Sequence, residues 1–148
     1  MPPLSSLHVV FHVADAEYAL AAADVLQMES YSGATAVPGT LPYVAGVILV
    51  RGRVVPVIDL RARFGLPIVA QTLDSRVVVV ESKDRTVGLL VDSAREVIKL
   101  EADQLHPPPR VMAEGDEVFV KAVAHVGKRL IVLLDFAKVI GEEPVHGN

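Results

Sequence analysis

Short apolar runs rich in valine, broken at close intervals by turn signals, constrain this chain more than any other feature. The longest run, residues 44–50 ("VAGVILV"), has seven residues. A membrane-spanning helix needs about twenty, so no bilayer crossing is expected. Valine dominates the apolar half of the sequence, aromatic residues are few and Trp is absent. That balance favours strands, because β-branched side chains suit a pleated surface. The 148 residues have room for one domain, or for two small barrels sharing a core. Short strands at regular spacing predict an all-β barrel or sandwich with a few short helices.

The segments can be read in turn. "LHVVFHV" (7–13) alternates, with Leu7, Val9, Phe11 and Val13 on one face and His8, Val10 and His12 on the other, which predicts a half-buried strand. His8 and His12 have the i, i+4 spacing of a helical metal pair. In a strand they stand about 13 Å apart at ~3.3 Å per residue, so they are expected to face solvent without sharing an ion. Residues 16–28 carry helix-favouring Ala, Leu, Gln and Met. A strand over 18–20, a helical turn over 21–24 and a second strand read almost as well.

"VILV" and "RVVPVI" flank Arg51-Gly52 and predict a hairpin, with Gly52 supplying the positive φ of its turn. Pro56 cannot donate to a ladder, so its strand is expected at an edge or with a bulge. In "DLRARFG", Asp59 reads as an N-cap, Leu60 and Phe64 share a face, and Gly65 ends a short helix. "RVVVVES" with "RTVGLLVD", and "EVFVKAVAHV" with "RLIVLLD", read as two further hairpins. "SAREVIKL" is another strand, and "HPPPR" suits a polyproline-like connection. "DFAKVIGEEP" repeats the Asp cap and Gly stop, predicting a helix over 136–140.

Charge and motifs narrow the chemistry. Residues 1–50 hold four carboxylates and no Lys or Arg, so the whole net charge of −4 lies there. Arg51, Arg53, Arg61 and Arg63 form the one dense basic cluster, in the hairpin turn and on the outward face of the helical turn. A nucleic-acid binder would show a broader basic face, and this cluster is read instead as surface charge paired within the fold. Cysteine is absent, which removes disulfides, thiolate chemistry and Cys-bound metals and fits a cytoplasmic protein. The N-terminus lacks the basic region of a secretory signal.

No nucleophile-elbow, phosphate-loop or zinc-protease motif occurs. The histidines at 8, 12, 106, 125 and 146 have no visible orienting partner. Asp92, Ser93 and Glu96, and the "EGDE" stretch at 114–117, read as surface carboxylates. A ligand-holding barrel would need longer strands around a cavity. What remains is a binding module for a protein, without catalysis, cofactor or metal. A small-molecule barrel, or an enzyme with a hidden site, is the alternative.

Residues 37–65, "VPGTLPYVAGVILVRGRVVPVIDLRARFG", resemble the signature of CheW-type domains. The matching positions are Val37, Pro38, Tyr43, Gly46, Val47, Arg51, Gly52, Val55, Pro56, Asp59, Leu60, Phe64 and Gly65. The likeness continues through Gly88, Val91, Asp92, Val97, Leu105 and Pro107, and through the closing hairpin and helix. It places the domain at 7–141, between tails at 1–6 and 142–148. Leu49 stands where the family often has Asn, Leu41 where a loop proline is usual, and Gln27 and Glu29 compete for a common glutamate.

The resemblance implies two small five-stranded SH3-like barrels sharing a hydrophobic core. It also implies a cytoplasmic adaptor at receptor arrays near the inner membrane face, coupling a chemoreceptor's cytoplasmic tip to the regulatory domain of a CheA-type histidine kinase. By that resemblance Arg51, Gly52 and Val97 belong to the receptor side. For Arg51 the competing reading is an ion pair with Glu29 or Asp24 that pins the hairpin, and for Val97 it is a buried strand valine. Gly46, Pro56, Asp59, Gly65, Gly88 and Asp92 are structural: the glycines serve backbone geometry, and Pro56 and Asp59 serve edge control and capping.

Overall fold

A computed structural model describes residues 5–108 and 119–141. The chain forms β1 (Ser5–Val13), β2 (Ala16–Ala21), a 3-10 turn (Ala22–Asp24), β3 (Val25–Ser30), β4 (Val44–Val50), β5 (Arg53–Asp59) and α1 (Leu60–Arg63). It continues through β6 (Arg76–Ser82), β7 (Arg85–Val91), β8 (Ser93–Glu101), a second 3-10 turn (Ala102–Gln104), β9 (Leu105–His106), β10 (Val120–Val126), β11 (Arg129–Leu134) and α2 (Phe136–Ile140). The "EGDE" stretch, His146 and the end of "HPPPR" lie outside the described residues.

Two sheets result. One runs β8-β1-β2-β11-β10-β9 and the other β3-β6-β7-β5-β4, so the first is larger than the expected five strands by the two-residue β9. The chain begins in the first sheet, builds all of the second, and returns to finish the first. In each sheet one parallel pairing closes the order, β11 against β2 and β5 against β7. This is the all-β, paired-barrel architecture.

The core explains the valine runs. One buried cluster joins Phe11, Val13, Leu20 and Leu134 of the first sheet to Ile58, Val78, Val80, Val87, Leu89 and Val91 of the second. Two others fill the separate sheets: Val10, Ala19, Leu100, Ala124, Ile131 and Leu133 in one, and Val50, Val55, Val57, Val77 and Val79 in the other. Successive residues of one strand therefore enter different cores. In β6, Val77 and Val79 point into the second sheet's own core while Val78 and Val80 enter the shared one. A strand with both faces covered reads as a continuous apolar run.

The same logic corrects β1. Its centre is buried on both faces, so it is not half-buried, and His8 is only 7 % exposed. The segment 16–28 takes the strand–turn–strand alternative over the helix. Pairing to β1 and to β6 supplies backbone partners on both sides of the 3-10 turn, and tertiary pairing overrides helix propensity.

Pro56 is corrected too. Its strand β5 lies inside the sheet, yet the ladder to β7 begins only at Val57 and Pro56 pairs with Val47 alone, so its missing N–H leaves no β7 acceptor unmet. The bulge sits across the hairpin, between Val44 and Gly46. Gly46 has φ 143°, and a Cβ there would lie 2.2 Å from the Thr35 carbonyl oxygen. That close approach lets Thr35 and Val47 exchange two backbone hydrogen bonds of 2.9 Å. Gly88 serves packing instead of unusual backbone geometry: a Cβ on it would sit 2.5 Å from Val77 Cγ1.

Both helices end as expected. Asp59 Oδ1 accepts from the amides of Arg61 at 2.9 Å and Ala62 at 3.4 Å, Gly65 follows the turn, and Asp135 caps α2 through the Lys138 amide.

Candidate docking surfaces

The β4–β5 hairpin turns on Arg51 and Gly52, with φ of 49° and 80°. Both central residues are left-handed, the geometry of the two-residue turn that matches strand twist. The turn projects Arg51 from the sheet, exposed. Neither Glu29 nor Asp24 reaches it: Arg51 forms no side-chain hydrogen bond or ion pair among the described residues. Beside it Leu49 and Val54 are cross-strand partners, 71 % and 69 % exposed. The hairpin tip is thus an apolar pair next to an uncommitted guanidinium, and Leu49, the departure from the family's Asn, supplies half of that pair.

Val97 lies elsewhere, on β8 at the edge of the other sheet. It is 53 % exposed, so the buried-valine reading does not hold. Leu7 on neighbouring β1 is also exposed, as are Leu26 and Met28 on β3, the edge of the second sheet. Gln27 and Glu29 share the other face of β3, and the Gln27 amide donates to the Glu29 carboxylate at 2.5 Å.

Arg53 stays exposed and donates to Thr86 Oγ1 at 3.1 Å, whereas Arg61 and Arg63 are paired within the fold, as expected of the cluster, and do not project outward. Arg61 donates to both oxygens of Asp92, at 3.0 and 2.6 Å, and to the Pro67 carbonyl at 3.1 Å. The Ala14 amide also donates to Asp92, at 2.8 Å. Burial opposes ionisation of Asp92, but the Arg61 guanidinium and the Ala14 amide outweigh it and hold the carboxyl below its ordinary value. Because Ala14 follows β1 and Arg61 belongs to α1, this carboxylate clasps the two sheets together. Arg63 lies over the rings of Tyr43 and Phe119, 4.2 and 4.8 Å from their centroids, and donates to the Val139 carbonyl at 2.8 Å. Arg129 binds Glu17 in a forked pair at 2.6 and 3.1 Å and also pairs with Glu96. These contacts were not legible in sequence, since partners such as Glu17 and Arg129 stand 112 positions apart.

One set of side chains has the order of a catalytic relay. Ser93 Oγ lies 3.4 Å from His12 Nδ1, and His12 Nε2 lies 3.7 Å from Glu17. The spacing is longer than a working hydroxyl–imidazole–carboxylate relay, and Glu17 is committed to Arg129. A cleft of about 550 Å³ is lined by His12 and Ser93, but not by Glu17, and is open to solvent, whereas a ligand barrel would enclose its cavity. No group of three or more His, Asp or Glu among the described residues is placed to hold a metal ion. Among the same residues no helix is long and apolar enough to cross a membrane.

The CheW-like domain family matches residues 7–143. The chain is 34 % identical over 135 residues to "Chemotaxis protein CheW" of Bacillus subtilis, spanning 91 % of this chain and 86 % of that one. It is 30 % identical over 135 residues to "Chemotaxis protein CheW" of Rhizobium meliloti, spanning 91 % and 87 %. The crystal structure of the scaffolding protein TtCheW from Thermoanaerobacter tengcongensis superposes with a TM-score of 0.85 at 32 % identity, covering 97 % of this chain and 95 % of that one. The chain belongs to the CheW-like domain family.

Proposed function

We propose that this member of the CheW-like family is a non-enzymatic chemotaxis scaffold that couples chemoreceptors to a CheA-type histidine kinase. The observation that carries the reading is the superposition on a scaffolding protein over nearly the full length of both chains. A coupling protein needs displayed surfaces, not a reactive centre, and this chain exposes apolar side chains on two edge strands, β8 and β3, and at one hairpin tip. The receptor side contains Arg51, Gly52 and Val97. Arg51 suits recognition because a guanidinium without a partner among the described residues can meet a carboxylate on a receptor helix. Val97 and its exposed neighbours suit the apolar face of such a helix. The regulatory domain of the kinase docks on a separate strand edge, and the complex assembles in the cytoplasm at receptor arrays. Nucleic acid and direct membrane insertion have no part in it.

The test is a titration of this protein against the regulatory domain of a CheA-type kinase from the same genome, alongside capture by a receptor cytoplasmic fragment. Saturable kinase binding is expected, and Arg51→Ala is expected to abolish receptor capture while leaving kinase binding intact. Absence of kinase binding at high micromolar concentration would overturn the adaptor reading. Loss of both activities together would overturn the separation of faces.

A further inference from the structure

The segment 66–75 joins α1 to β6; its residues 68–72, 74 and 75 line one side of the cleft between the sheets, and Leu73 stands beside that lining. Its shape is fixed by hydrogen bonds at both ends. The Thr72 amide donates to Ser75 Oγ at 2.9 Å, the Ser75 amide to the Thr72 carbonyl at 3.1 Å, and the Asp74 amide to Thr72 Oγ1 at 3.1 Å. Arg76 Nη1 donates to the carbonyls of Leu73 and Ser75 at 2.7 and 2.9 Å. At the other end Arg61 holds the Pro67 carbonyl.

On this bonded frame Leu73 is 96 % exposed, Ile68 67 % and Val69 52 %. Three large apolar side chains within six positions gain nothing from water. A frame already ordered lowers the entropy cost of docking.

The cleft behind them fixes the character of the occupant. Asp59, Asp74 and Asp92 line it against one arginine, Arg61, and Arg61 is spent on Asp92 and Pro67. With His12 neutral, three carboxylates and one guanidinium leave a formal charge of −2. Asp59 keeps Oδ2 free of its capping bonds, and the Asp74 carboxylate has no partner among the described residues.

We infer that the cleft and the 66–75 connection form a docking surface for a partner-protein segment in which Lys or Arg stands between apolar residues. Its apolar side chains cover Ile68, Val69 and Leu73, and its cation enters the cleft toward Asp59 and Asp74. Apolar contact supplies affinity, and opposite charge supplies register and selectivity. The surface is separate from the adaptor faces, since neither Arg51, Gly52 nor Val97 lines it, so it stands or falls independently of them.

The experiment is an amide-resonance titration of the full chain with Ac-Leu-Arg-Val-Lys-Leu-NH2, its acidic counterpart Ac-Leu-Glu-Val-Asp-Leu-NH2, and arginine amide alone. The basic peptide is expected to shift residues 68–75 with Asp92 and Ser93 saturably. It should bind at least about tenfold tighter than either other probe, as loss of one charge contact or one buried side chain implies. Asp74→Asn, and separately Ile68→Ser with Leu73→Ser, are expected to weaken binding several-fold with the thermal midpoint unchanged. Equal binding of the acidic peptide or of arginine amide, shifts confined to other surfaces, absence of shifts at millimolar peptide, or full binding by the variants would each overturn the inference.

Discussion

Replacing Gly88 by alanine tests how tightly the valine core is packed. The new Cβ would lie 2.5 Å from Val77 Cγ1, 3.6 Å from Val57 Cγ2 and 3.7 Å from the Pro56 oxygen. Ordinary contact begins near 3.4 Å, so one neighbour must move by roughly 1 Å, a displacement that dense cores resist. Val77 is fully buried and cannot swing into solvent. Overpacking of this kind costs about 1–3 kcal/mol, against which reduced entropy of the unfolded chain returns roughly 0.4–1 kcal/mol. The net loss should be about 1–2 kcal/mol, or a midpoint lower by roughly 2–8 °C for a chain of this size.

Val77→Ala removes the methyl that is struck. Alone it destabilises through lost burial, at about 0.8 kcal/mol per methylene plus a cavity cost. In the double variant the alanine at position 88 has room, so the two losses should fall short of their sum by about 1 kcal/mol or more. Urea unfolding followed by circular dichroism, at unchanged slope, measures all four corners of the cycle. Wild-type stability in Gly88→Ala, or strict additivity, would refute the reasoning.

Three further outcomes are expected. Arg51→Ala should leave stability within about 0.5 kcal/mol of wild type, as for a surface residue without partners; a larger loss in thermal unfolding would mean that the side chain tethers the hairpin. Burial lowers the affinity of His8 for a proton, with Lys121 acting the same way and the Ser6 carbonyl and Asp24 opposing. The unfolded chain therefore takes up that proton first, and stability should fall as pH drops below about 6.5; His8→Gln should remove that part of the slope in urea titrations at several pH values, and an unchanged slope would contradict it. Asp92→Asn should cost about 1.5–3 kcal/mol by weakening charge-assisted bonds to Arg61 and Ala14. Because the Asp92 carboxyl is held below its ordinary value of 3.8, wild type should lose this advantage as pH falls below that value, so the two unfolding midpoints should converge in acid.

Local grammar was readable wherever it depended on neighbours in sequence. Asp59 and Asp135 cap their helices, Arg51-Gly52 makes a tight turn, and the spacing from Val37 to Gly65 pointed to the family. Each of these is decided within a few residues by backbone sterics and short hydrogen bonds. The strand–turn–strand over 16–30 was less legible, since its alanines favour a helix and only pairing with β1 and β6 reverses that preference.

By itself, then, the sequence determined the strands, turns and caps, along with an apolar content large enough for a shared core. Tertiary structure decided which face each strand buries. Periodicity cannot tell a strand with one covered face from a strand packed on both sides, so His8 was expected in solvent and lies in the interior. It also decided which arginines are free. Arg61 and Arg63 are consumed by Asp92, Tyr43 and α2, while Arg51, in the same basic cluster, forms no side-chain hydrogen bond or ion pair among the described residues. A guanidinium is committed by whatever carboxylate or ring the fold brings within reach, and that distance is set by the path of the chain between the two sheets.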